Sequence, residues 1–132
     1  MPPAREAAWL QKADNDLLAA DNNLAASRVP FDAVCFHCQQ AAEKSLKGLL
    51  VFLGTGAPRT HDLLAVLEQI KPLLTSDIEA KVRSACIVLN PYAIEIRYPD
   101  EAVFPTVEDA GEAREAAGVV VQWVRSLIQR TR

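Results

Sequence analysis

Apolar side chains recur every three or four residues along most of this chain, a spacing that admits helices and little else. From Arg5 to about Ser27, Trp9, Leu10, Ala13, Leu17, Ala20 and Leu24 share one stripe, with Lys12, Asp14, Asp16, Asp21 and Asn23 on the other faces. A second helix is expected from about Phe31 to Leu53, halted at Gly54. At about 100° per residue, Val34, Cys35, Cys38, Ala41, Ala42, Ser45, Leu46, Leu49, Phe52 and Leu53 fill an arc of roughly 140°. His37, Gln40, Glu43, Lys44 and Lys47 lie on the opposite side, and Phe36, Leu50 and Val51 fall outside the arc. A helix apolar on two sides has two neighbours, within its own chain or across a dimer.

Thr60 is placed to cap a short third helix, with Asp62 in its first turn, Leu63, Leu64, Leu67 and Ile70 facing inward, and Pro72 closing it. Ser76 and Glu79 have the spacing of a capping box before a helix whose stripe is Ile78, Val82, Ala85, Cys86 and Leu89. Prolines at 91, 99 and 105 then interrupt the pattern, so a long loop is expected over residues 90–105. The last helix starts near Thr106 and runs to about Arg130, with Ala113, Ala116, Ala117, Val120, Trp123, Val124 and Leu127 inward. Ala93 to Ile96 is the nearest thing to a strand, and it is too short and unpaired. The expected fold is all-α: an antiparallel up-and-down four-helix bundle with an additional short helix.

The 132 residues suit one domain, residues 1–132, with a single core. Half are hydrophobic, too many for disorder, yet no apolar run approaches the roughly 20 residues of a membrane helix. The Met-Pro-Pro-Ala-Arg-Glu start has no signal-peptide character, and an odd count of three cysteines suits reduced thiols, so a cytoplasmic location is expected. A net charge of −3 gives no global drive toward nucleic acid. A polyanion site would have to be a local patch.

Several groupings could carry chemistry. Cys35 and Cys38 have the C-x-x-C spacing, but a structural zinc site needs four ligands, so they are read as core residues and no metal or cofactor is expected. Gln40, Lys44 and Lys47, at i, i+4 and i+7, form one polar ridge, and Glu43 is spaced to pair with Lys47. Arg59, Thr60, His61 and Asp62 sit where a helix N-terminus could hold an anion, although a plain cap explains them equally. Arg97, Tyr98 and Asp100 lie in the proline-framed loop, offering a donor fork and a stacking face, or simply a turn stiffened by an Arg97–Asp100 contact.

The run from Cys35 through Gln39, Gln40, Glu43, Lys44 and Lys47, then Thr60-His61-Asp62-Leu63, then Arg97-Tyr98-Pro99-Asp100, resembles the HEPN domain of prokaryotes over essentially the whole chain. The resemblance implies a homodimeric helical bundle paired with a minimal nucleotidyltransferase in a toxin–antitoxin-like unit. Some members of that family are metal-independent ribonucleases whose site is an Arg followed after four to six residues by His. Here Ala102, Val103 and Phe104 follow Arg97 at those positions, and Val88, Leu89 and Asn90 follow Arg83, so the motif is absent. The resemblance therefore implies a binding module for a nucleotide, a nucleotidyltransferase partner or both, using Gln40, Lys44, Lys47, His61, Arg97, Tyr98 and Asp100. The alternatives are a ribonuclease toxin acting on RNA through Arg97 and His61, or a purely structural dimerisation partner.

Overall fold

The computed structural model describes residues 4–93 and 104–132, which form five α-helices and no strand. They are α1 (Ala7–Leu24), α2 (Phe31–Phe52), α3 (Leu63–Ile70), α4 (Ala80–Leu89) and α5 (Val107–Thr131). Single 3-10 turns extend α3 (Lys71–Leu73) and α4 (Asn90–Tyr92). The helical bundle read from the periodicity is the fold observed, and α3, at 8 residues, is its short helix.

α2 is the axis of the bundle. It packs against α1 on one side and α5 on the other, while α4 lies along α5 and α3 bridges α2 to α4. Thirteen of its 22 residues are buried, which is why its sequence shows apolar residues around so much of its circumference. Leu50, outside the expected arc, is 1% exposed and belongs to the intramolecular core, whereas Phe36 and Val51 remain half-buried. Leu46, Leu49, Leu63, Leu67, Ile70, Val82, Leu89 and Val120 fill the centre, and Ala110, Ala113 and Ala117 let α5 approach closely.

The helix ends follow local chemistry, though not always at the expected residue. α2 stops because Gly54 adopts φ +93°, which lets Gly54 N–H donate to Val51 and Thr55 N–H to Leu50 in a Schellman closure. Thr106 and Asp109 form the reciprocal capping box at the start of α5. α3 is capped by Asp62 and not Thr60: the Asp62 carboxylate accepts from Leu64 and Ala65 N–H, while Thr60 Oγ1 accepts only from Asp62 N–H. The box expected at Ser76 and Glu79 does not form, because α4 begins at Ala80, too late for Ser76 to reach its free N–H groups. None of the described helices is long and apolar enough to cross a membrane.

α1 and α2 touch most closely at Gly48, where an added Cβ would stand 2.9 Å from the Trp9 Cβ, an atom fixed to its own backbone. Gly111 on α5 has nothing within 4 Å of such a Cβ. Gly48→Ala is therefore expected to lower stability by about 1–2 kcal/mol despite alanine's better helix propensity, and Gly111→Ala to raise it by about 0.5–1 kcal/mol. Urea unfolding followed by circular dichroism reads both, and a stabilised Gly48→Ala would contradict the close helix crossing.

Candidate functional site

Two carboxylates on the inner faces of α1 and α2 organise the polar groups of this protein. Asp16 lies between Ala13 and Ala20 at helical spacing, so it shares their buried stripe rather than an outer face as the sequence reading had it. Its side chain is 11% exposed and meets His37 Nδ1 at 2.9 Å and Lys44 Nζ at 2.6 Å, both from α2. Glu43, 6% exposed, lies 3.1 Å from Lys47 Nζ and 3.0 Å from His61 Nδ1. Gln39 Nε2 donates to Glu43 Oε1 and to the His61 carbonyl, and Gln40 Nε2 donates to Gln39 Oε1 at 2.7 Å. Each carboxylate thus binds one lysine and one histidine, and no buried side-chain polar atom among the described residues lacks a partner.

The expected ridge of Gln40, Lys44 and Lys47 does not exist as an exposed row. Lys47 is itself buried, with 7% of its side chain exposed, because Glu43 draws it inward through the i, i+4 pairing. Lys44 turns toward α1 and Asp16, and Gln40 is half-buried against Gln39. Both lysines are neutralised where they stand.

His61 is the outlying member, with 66% of its side chain exposed. A carboxylate beside Nδ1 favours the proton on that nitrogen, so in the neutral imidazole Nε2 carries the lone pair and faces away from Glu43. Such a ring can exchange a proton with something bound at the surface. The α3 N-terminus beside it is closed to anions. Asp62 takes two of its N–H groups, Asn90 Oδ1 takes the Leu63 N–H at 2.9 Å, and Asn90 Nδ2 donates to Asp62. The Asn90 amide, followed by the backbone donors, holds the Asp62 carboxyl below the usual aspartate range.

Arg97, Tyr98 and Asp100 lie outside the described residues, so of the expected site the structure brings Lys47 and His61 together on Glu43, with Gln40 joined through Gln39 and Lys44 on the neighbouring carboxylate. The sequence assigns no site role to Asp16, His37, Gln39 or Asn90. Asp16 was detectable as a carboxylate within an apolar stripe, while Asn90 carried no local signal. The cysteines sit wholly within the core, where burial pushes Cys35 up to about 11 and Cys38 and Cys86 up to about 12, so these are inert thiols. No group of three or more potential metal-ligating side chains occurs among the described residues.

Removing Glu43 would leave the Lys47 ammonium buried and unpaired. Glu43→Ala is expected to cost roughly 3 kcal/mol, and Lys47→Met in the same chain to restore much of the loss, since it removes the stranded charge. Thermal or urea unfolding of the single and double variants checks this, and a Glu43→Ala protein as stable as the parent would contradict a buried ion pair.

The model of the HEPN domain matches residues 7–127 of the chain. Among solved structures, TT1696 from Thermus thermophilus is similar at 29% identity and a TM-score of 0.81, the match covering 94% of this chain and 98% of that one. ST0689, an archaeal HEPN homologue, is similar at 29% identity and a TM-score of 0.73, with the same coverage. No curated protein matches. A fold built on the same helices over nearly its whole length, together with the family match, assigns this chain to the HEPN domain family.

Proposed function

We propose that this protein is a homodimeric HEPN binding module that receives a minimal nucleotidyltransferase, a nucleotide or both, in a toxin–antitoxin-like unit in the cytoplasm. The observation that carries the reading is the preorganised polar face of α2 and α3, where buried Glu43 holds Lys47 and the exposed His61 in fixed positions. Because Asp16 and Glu43 neutralise Lys44 and Lys47, this face favours a partner that reads hydrogen bonds and shape over one that needs strong positive charge. Asn90, tied to Asp62 beside His61, begins the connection toward Arg97, Tyr98 and Asp100. Arg97, seven residues further along the chain than Asn90, is the guanidinium proposed to join this face. Half-buried Phe36 and Val51 on the outer side of α2, and exposed Leu18 on α1, support association with a second copy.

Calorimetric titration with a purified minimal nucleotidyltransferase and with ATP tests the proposal. Saturable binding to at least one is expected, weakened about tenfold or more by Arg97→Ala or His61→Ala. Binding to neither would overturn it, and light scattering showing only monomer at high concentration would remove the dimer.

One observation favours a second reading, a ribonuclease with a non-standard site. The His61 imidazole, oriented through Nδ1 by a buried carboxylate with Nε2 outward, has the arrangement of a general base for a ribose 2′-hydroxyl. Cleavage of RNA in the presence of a metal chelator, lost in His61→Ala, would establish that reading, and intact RNA would dismiss it.

A further inference from the structure

A second site is built on the opposite pairing of the bundle, between the start of α4 and the second half of α5, and it shares no residue with the α2–α3 face. A cleft of about 600 Å³ opens there, within the size range of small-molecule sites. Its wall includes Trp123, 7% exposed, whose indole N–H has no hydrogen-bond partner among the described residues. Since no buried side-chain polar atom lacks a partner among those residues, that N–H still reaches solvent, and Trp123 is part of the cleft wall. A donor-only group that no acceptor of the described residues takes is open to an acceptor from outside.

Gln122, Ser126, Arg130 and Lys81 add further donors to the cleft, and Glu79 adds a carboxylate. Gln122 Nε2 donates to Ser126 Oγ at 3.3 Å, which leaves the Ser126 hydroxyl hydrogen free to donate in turn. Arg130 Nε donates to the Ser126 carbonyl at 3.3 Å, which fixes the guanidinium along the helix and leaves its terminal amino groups unused, with no carboxylate of the described residues within pairing distance. Lys81 stands on the facing wall, 3.7 Å from Glu79, a loose and exposed pair. Two cations against one carboxylate leave the cleft with a single positive charge, matched to a monoanion.

Gly118 opens the floor. It lies inside α5, where glycine weakens a helix, and a Cβ there would meet only Arg114, whose Nη1 stands 3.3 Å away on a guanidinium that also binds Asp21. Its missing side chain leaves volume open in the cleft that Val119 and Trp123 also line.

We propose that the α4–α5 cleft binds a small organic carboxylate, its flat apolar body against Val119 and Trp123 and its carboxylate on Arg130 and the Trp123 N–H. The test follows the indole N–H signals of the full chain by 1H–15N NMR, with 2-naphthoate as probe and neutral 2-naphthamide as control. The chain has two tryptophans, and Trp9→Phe assigns their signals. Naphthoate is expected to shift the Trp123 signal saturably and leave Trp9 in place, and both naphthamide and Arg130→Ala to weaken binding about tenfold. Gly118→Leu should abolish the shift by filling the floor. Gly118→Ala, a smaller intrusion whose Cβ presses only on Arg114, narrows the cleft and should bind more weakly, so the floor is still tested should the leucine variant misfold. The proposal is overturned by no saturable shift up to about 10 mM. It is equally overturned by acid and amide binding alike, by parallel movement of Trp9, or by undiminished binding in a folded Gly118 variant.

Discussion

A carboxylate removed from water must find positive charge and hydrogen-bond donors or forgo its ionised form, and two carboxylates in this bundle meet that demand in the same way. Glu43 gathers Lys47, His61 and Gln39, and Asp16 gathers His37 and Lys44. The consequence is architectural. Asp16 fastens α1 to α2, and Glu43 fastens the segment before α3 to α2, so both connections of the central helix carry a polar clasp as well as apolar packing. Surface pairs such as Arg114 with Asp21 add α5 to α1, but there solvent screening limits what each contributes.

The fold was legible because helical periodicity is strong and strand signals are nearly absent, and Gly54 and Thr106 mark their helix ends by chemistry that depends on one or two residues. The site was legible only in part. The i, i+4 spacing of Glu43 and Lys47 announced their pairing, but not that the pair is buried. Burial depends on α3 passing over this side of α2, a tertiary fact that no local window contains. Likewise Lys44 looks like an exposed lysine until Asp16, 28 positions earlier, is recognised as facing inward. The caps at Thr60 and Ser76 failed for a related reason. Asp62, held by Asn90, closes α3 in place of Thr60, while α4 starts beyond its box and carries no side-chain cap.

These contacts bear on function through charge. The lysines that would suggest a phosphate site are spoken for by carboxylates, which leaves His61, 66% exposed, as the accessible edge of the clasp. A HEPN bundle of this kind presents an ordered polar face at α2 and α3, and a donor-lined cleft at α4 and α5 whose occupant would be small and negatively charged. The two surfaces are separate in residues and in chemistry, so each can be altered without touching the other.

The central claim is that Lys47 is held, charged and shielded, by Glu43. The most direct measurement is the 1H–15N signal of the lysine side-chain ammonium groups at neutral pH, where solvent-exposed lysines exchange too fast to be seen. The account predicts a slowly exchanging NH3+ signal for Lys47 that disappears in Glu43→Gln. A Lys47 ammonium exchanging as fast as Lys12 or Lys71, on their exposed positions, would contradict it.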